Sequence, residues 1–254
     1  MLTSFRGLMA VSLATVSLLS AAPVMAQDEE STDETSAGGF TLSGNVALTT
    51  DYRFRGVSLS SGDPAIQGGF DVAHESGFYV GTWASSISGG DAYGDMELDV
   101  YGGWSGDITD GVSLDVGAIY YIYPTEDIGA NVDYYEFLAS VGFSLGPVET
   151  TLGVGYSPDQ DSLGDDDNLY LYTDVGVGIP NTPITLTGHI GYTDGALAPP
   201  LLAGADDDTG LDWSIGASIA HGPFEFGVAY VGVEGPSINE FTDDAVVATI
   251  SASF

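Results

Sequence analysis

The last ten residues, "AVVATISASF" (245–254), alternate with a period of two. Val246, Ala248, Ile250, Ala252 and Phe254 share one face, and Ala245, Val247, Thr249, Ser251 and Ser253 share the other. Successive side chains of a β-strand point to opposite faces, so this is a strand with one apolar side. Residues 211–220 repeat the pattern, with Leu211, Trp213, Ile215, Ala217 and Ile219 set against Asp212, Ser214, Gly216, Ser218 and Ala220. In residues 39–55, Phe40, Leu42, Val46, Leu48, Tyr52 and Phe54 face away from Thr41, Ser43, Asn45, Thr49, Asp51, Arg53 and Arg55.

Extending the count along the chain gives strands near 39–55, 64–73, 77–88, 94–105, 111–123, 132–145, 147–157, 168–179, 183–193, 210–220, 223–233 and 245–254. Helical periodicity is absent after residue 38, and no run there reaches the length of a spanning helix. The connections alternate. "HESG", "SGDITDG", "LGP", "PNTP" and "HGP" are short turns rich in Gly, Pro, Asn and Asp. Between them fall mostly longer and often acidic connections, such as "SPDQDSLGDDD" and "DGALAPPLLAGADDDT".

An even strand number, short turns at one end and longer loops at the other describe an outer-membrane barrel. A soluble up-and-down barrel would alternate as well. Three features favour the membrane. The apolar face is almost free of charge, aromatics cluster near the strand ends, and the chain ends on an alternating strand with Phe254. Phe78, Trp104, Phe143, Phe224 and Phe254 fall at the turn side, and Tyr52, Phe54, Tyr156, Tyr192, Trp213 and Tyr230 at the loop side, as two interfacial girdles require. The expected fold class is all-β: a transmembrane antiparallel up-and-down β-barrel of about 12 strands, occupying residues 39–254.

Residues 1–26 carry one early positive charge, an apolar stretch over Leu8–Leu19, and Val24-Met25-Ala26 before Gln27. They read as a secretory signal peptide cut after Ala26, too short in its apolar core for an anchor. Residues 27–38 are acidic and offer nothing to bury, which predicts a disordered lead-in. The expected destination is the cell outer membrane, with lipid and the barrel assembly machinery as partners. Cysteine is absent, so no disulfide staples the fold.

The formal net charge is −34, from 37 acidic residues against three arginines and no lysine. Phosphate binding needs Lys/Arg patches, so nucleic acid is excluded as a partner. With apolar positions facing lipid, the opposite positions face the lumen. These include Asp51, Asp71, Asp95, Glu97, Asp99, Asp115, Glu136, Glu149, Asp174, Asp212 and Glu225. Burying so many unpaired carboxylates would cost several kcal/mol each, so the expected lumen is wet, narrow and cation-preferring. Tyr79, Trp83, Tyr101, Tyr121, Tyr123, Tyr134, Tyr170 and Tyr172 share the luminal phase, as space filling or as a stacking path for solutes.

Once Arg6 leaves with the signal peptide, Arg53 and Arg55 are the only Lys or Arg side chains left. Both belong to the luminal phase near the outer mouth. A guanidinium matches carboxylates with five donors, so the pair can clamp Asp51, Asp71 or the Asp95/Glu97/Asp99 row. Two roles stay open: one wall of a constriction, or a brace that ties the first strand to its neighbours.

Residues 46–87 carry Asp51-Tyr52-Arg53-Phe54-Arg55-Gly56, Pro64-Ala65-Ile66-Gln67-Gly68-Gly69 and Gly77-Phe78-Tyr79-Val80-Gly81-Thr82-Trp83. With the signal peptide and a later "VGVGY", this segment resembles the TorF-type family of proposed porins, also labelled Gcw_chp. The resemblance implies an outer-membrane barrel proposed as a porin in Gram-negative bacteria. It supplies no substrate and no functional residues.

No catalytic or cofactor site is expected. Of the three histidines, His74 and His221 fall in short turns and His189 on a luminal position, and no nucleophile motif accompanies them. "GDDDN" (164–168) and "ADDDTG" (205–210) lack the full spacing of a calcium loop and read as solvated acidic loops. The expected function is passive diffusion of small hydrophilic solutes or ions. The alternative is a non-conducting structural or adhesive barrel acting through its acidic outer loops. Nothing in the sequence marks an oligomer interface.

Overall fold

The computed structural model describes residues 38–126, 129 and 131–254. The signal peptide and nearly all of the acidic lead-in therefore lie outside the described residues. The chain forms β1 (Phe40–Thr49), β2 (Arg53–Phe54), β3 (Val57–Ser58), β4 (Ala65–His74), β5 (Phe78–Ser86), α1 (Gly90–Tyr93), β6 (Met96–Thr109) and β7 (Val112–Ile122). It continues through β8 (Tyr134–Leu145), β9 (Val148–Gln160), β10 (Asp166–Gly178), β11 (Ile184–Gly195), α2 (Pro199–Leu202), β12 (Thr209–His221), β13 (Phe224–Val233) and β14 (Ala245–Ser253).

Twelve strands, β1 and β4 to β14, close into one antiparallel barrel. Each pairs with its sequence neighbour, and β1 closes the ring on β14 from Asn45↔Ser253 to Thr49↔Thr249. The pleat sets the register: a one-residue slip would turn every apolar residue from lipid to lumen. At the seam, Thr249 Oγ1 donates to Thr49 Oγ1 at 3.0 Å. Gly44 and Phe254 exchange two backbone hydrogen bonds of 2.8 and 3.0 Å.

The outward positions are the apolar ones. Leu42, Val46 and Leu48 on β1, Ile66 and Phe70 on β4, and Val228 and Tyr230 on β13 are all exposed. A soluble barrel would hide these residues; here they form the outer wall, as a lipid-facing band requires. Phe78, Phe143, Phe224 and Phe254 are exposed near the turn end, and Tyr156, Tyr192 and Tyr230 near the loop end. Trp104 lies at the turn end, its indole Nε1 donating to the Ser76 carbonyl at 2.9 Å. Trp213 sits near the loop end of β12, paired with Gly232 and Ile190. Tyr120 and Tyr135, which face each other across β7 and β8, join the loop-end set.

The first strand departs from the expected span. It stops at Thr49 instead of running to Arg55. The chain then folds inward as a small hairpin, with β2 pairing β3 at Arg53↔Ser58 and Phe54↔Val57. Tyr52 and Phe54 are therefore not girdle residues; they are 2% and 9% exposed, inside the barrel. The cause is local. Asp51 Oδ1 accepts the hydroxyls of Ser58 (2.6 Å) and Ser60 (3.2 Å), and Asp51 Oδ2 accepts Arg53 Nε (2.6 Å). One carboxylate thus gathers the whole hairpin around itself. Gly56, at φ 79°, makes the turn at its tip.

Candidate functional site

The hairpin divides the lumen into two halves of different character. On the loop side the interior is packed: Arg55, Tyr52, Tyr121, Tyr170, Glu97, Glu136, Asp99 and Asp212 are each at most 2% exposed. On the turn side the luminal acids Asp71, Asp115, Asp174 and Glu225 are only half-buried, and Glu149 is exposed. The expectation of a wet lumen throughout is thus corrected for its outer half.

Most of the buried carboxylates there have dedicated donors, and several of these are phenols. Tyr52 and Tyr123 donate to the two oxygens of Glu97 at 2.6 and 2.8 Å. Tyr170 donates to Asp212 at 3.2 Å. Below the hairpin, Tyr101 donates to Asp71 at 2.6 Å and Tyr79 to Asp115 at 2.9 Å. A phenol supplies a donor without adding charge, so acids can be matched where cations are scarce. Burial first, and then the facing Glu97 carboxylate, hold the Tyr52 phenol well above its usual range, which keeps it a donor.

The two arginines are used differently. Arg53 engages every guanidinium nitrogen. Nε donates to Asp51, Nη1 to the carbonyls of Gly56 (3.0 Å) and Asp243 (2.5 Å), and Nη2 to Asp243 Oδ1 (3.4 Å). Arg55 stands at the tip of the hairpin and crosses the lumen to β8. Its Nη2 donates to both oxygens of Glu136, at 2.6 and 2.7 Å, while Nε and Nη1 have no hydrogen-bond partner among the described residues. Its guanidinium carbon lies 4.1 Å from the Tyr170 ring centre and 4.7 Å from that of Phe54. Burial works against the Arg55 charge, but Glu136 outweighs it, so the guanidinium holds its proton more tightly than usual.

Of the expected clamp partners, Asp51 takes Arg53, while Asp71 is engaged by Tyr101 and Glu97 by Tyr52 and Tyr123. Asp99 faces Tyr121 across β6 and β7, and its Oδ1 has no hydrogen-bond partner. Asp95 is exposed at the outer rim, just before β6. Glu136 and Asp243, the acids that the arginines reach besides Asp51, are far from them in sequence. Only the luminal parity of Glu136 could have suggested one of them.

His189 lies under the hairpin. Its Nδ1 faces Asp174 at 2.6 Å and its Nε2 faces Asp212 at 2.9 Å and the Tyr170 hydroxyl at 2.9 Å. His74 closes a turn through Ser76, at 2.7 Å from its hydroxyl and 3.1 Å from its backbone nitrogen. Among the described residues, no cluster of three or more His, Asp or Glu side chains has metal-binding geometry.

A closed twelve-stranded wall, apolar outside and acidic inside, with a loop tucked into its mouth, is the architecture of an outer-membrane-type, porin-like β-barrel. The chain belongs to the family described as bacterial protein of unknown function (Gcw_chp), whose model matches residues 33–254. Among solved structures it is similar to the KdgM porin, at 8% identity over 84% of this chain and 99% of that one, with a TM-score of 0.56. It is also similar to the COG4313 outer membrane channel from Pseudomonas putida F1, at 10% identity over 89% and 99% of the two chains, with a TM-score of 0.47. No curated protein matches the sequence.

Proposed function

We propose that the protein is an outer-membrane porin of the TorF type that lets small hydrophilic solutes diffuse passively and prefers cations. One observation carries the reading. The turn-side half of the lumen is lined by partly exposed carboxylates, Asp71, Asp115, Glu149, Asp174 and Glu225, while both arginines are committed to the outer half. A wall of one sign focuses the field and raises the local concentration of counter-ions, here cations. Asp51, Arg53, Arg55, Glu97 and Asp99 form the constriction at the outer mouth, with Asp71 below it and Asp95 above. The signal peptide cut near Ala26 routes the chain to the barrel assembly machinery and the outer membrane. Trp104, Trp213 and Phe254 contribute to the two interfacial girdles. The similarity to the KdgM porin supports the wall architecture that such a channel needs.

The test is electrical. Purified protein in a planar bilayer, under a KCl gradient, is expected to conduct with a reversal potential on the cation-selective side. Anion selectivity would overturn the charge argument. Silence under every voltage and salt would overturn the channel.

The packed outer half favours a second reading, a non-conducting barrel that works through its acidic loops. Its test is partner capture by the outer loops. Deleting residues 198–208 would be a poor probe, since Ala198, Pro199 and Pro200 are buried over the mouth. Removing residues 204–207 takes mostly exposed positions and spares the bond from Gly195 N to the Asp208 carbonyl at the end of β11.

A further inference from the structure

We propose that the inward hairpin, residues 51–60, is the gate of this channel, latched at its tip by the pair of Arg55 with Glu136 on the wall. The inference rests on the channel reading above and names how that channel opens.

The attachment of the hairpin is what points to movement. Its own strands pair only with each other. The backbone hydrogen bonds that leave it go to other loops, Ser58 N to the Phe241 carbonyl and Ser88 N to the Leu59 carbonyl, both 2.8 Å. The barrel ladder runs past it without a backbone bond to its tip. Withdrawal therefore costs the wall none of its backbone ladder, only contacts that involve side chains: Thr49 Oγ1 on the Asp51 carbonyl, the Tyr52 hydroxyl on Glu97, two edge-to-face ring contacts with Trp83 and Tyr121, the Arg55 guanidinium over the Tyr170 ring, and the Arg55 latch.

The two arginines divide the work. A permanent brace engages all of its nitrogens, and Arg53 does so with all three, close to where the chain leaves β1. Arg55 uses one nitrogen of three. Its backbone is also held in the left-handed region, at φ 48°, which a side-chain-bearing residue disfavours. Arg53 is thus the pivot, and Arg55 is the catch that holds a disfavoured tip in place. Ser61 and Gly62, at φ 54° and 72°, form the second bend at the rim end.

Charge tells which permeants release the catch. Beyond Glu136, the bare oxygens Asp99 Oδ1 and Asp212 Oδ2 are buried without a donor in the same packed layer. A cation arriving from the acidic vestibule meets Glu136, held by one guanidinium nitrogen, and the bare oxygens of Asp99 and of Asp212, the latter's other oxygen facing Tyr170 and His189. It competes with Arg55 for Glu136, so the solutes this lumen prefers are those that open it.

The experiment compares single-channel open probability for the wild type, Arg55→Gln and a Ser60→Cys/Ser88→Cys pair. The Ser88 hydroxyl lies 3.1 Å from the Ser60 carbonyl, and the chain has no native cysteine. Wild type is expected to open briefly. Arg55→Gln should raise open probability at least about tenfold, the scale of a lost buried pair. The oxidised cysteine pair should silence the channel, and a reductant should restore it. Glu136→Gln removes the same ion pair from the wall side and serves if Arg55→Gln fails to migrate as a heat-modifiable folded barrel. Conduction unaffected by both the latch variants and the cross-link overturns the gate and leaves the porin. Silence of the wild type and also of a chain with residues 51–60 replaced by a Gly-Ser linker overturns the porin itself, and the gate with it.

Discussion

The buried carboxylates pose the sharpest question at the scale of single residues, because a chain with no lysine and two luminal arginines must neutralise its acids by other means. Glu97 takes both of its hydrogen bonds from phenols, Tyr52 and Tyr123, and has no cation on it. A hydrogen bond to a charged group contributes about 1.5–3 kcal/mol net, and the loss of a buried donor carries the acid's desolvation cost as well. Tyr123→Phe is therefore expected to lower stability by about 1.5–3 kcal/mol, read from the urea unfolding midpoint in lipid vesicles. Tyr52→Phe should cost a similar amount, and the double variant should cost less than the sum, because one acid loses both donors and takes up a proton instead. Tyr156→Phe is the control. Its hydroxyl also donates to a carboxylate, Asp167 at 3.0 Å, but in solvent at the rim, and its replacement should leave the midpoint where it is. Equal losses at Tyr123 and Tyr156 would mean that ring packing, not acid matching, sets the cost.

At the scale of the elements, the phenols need room, and glycine on the next strand provides it. Tyr172 is paired with Gly153 across β9 and β10, Tyr79 with Gly103 and Tyr101 with Gly81 across β5 and β6. A Cβ on Gly153 would meet the Tyr172 ring at less than contact distance, whereas one on Gly176, four residues along β10 from Tyr172, would meet nothing within 4 Å. Gly153→Ala should cost about 1–3 kcal/mol by overpacking. Gly176→Ala should be neutral or gain about 0.4–1 kcal/mol by restricting the unfolded chain. Midpoints that shift alike would sink the ring-over-glycine account. These pairs also show what was legible beforehand. Strand rhythm alone places all twelve barrel strands, because an apolar face toward lipid and a polar face toward the lumen must alternate at every residue. It also places Tyr120 and Tyr135 outward, although their girdle role needs strand depth, which parity does not carry. The hairpin was illegible for a physical reason: "LTTDYRFR" (48–55) keeps its alternation straight past Thr49. What ends the strand is the Asp51 side chain gathering Ser58, Ser60 and Arg53, a tertiary preference that leaves the period untouched. The pairing of Arg55 with Glu136, 81 positions away, was hidden for the same reason.

The whole molecule carries a formal charge of −34, and among the described residues both arginines stand in the one hairpin. In the proposed channel, the vestibule below the hairpin acts on ions through a field more than through a fitted site. Fields of exposed charge are screened over about 10 Å at 0.1 M salt and about 3 Å at 1 M. A pore of this kind must lose its selectivity as salt rises, because the screening length falls below the distance from wall to axis. Cation preference is thus expected to be strong at 0.1 M KCl and to fall toward unity at 1 M, measured as reversal potential under a fixed concentration ratio. Asp71→Asn with Asp115→Asn should weaken the preference at 0.1 M and change nothing at 1 M. An asparagine carbonyl still accepts from Tyr101 and Tyr79, so the wall keeps its packing while two charges leave. A preference that persisted at 1 M would locate selection at the packed mouth, where solvent ions do not reach and Glu136, Asp99 and Asp212 act at close range.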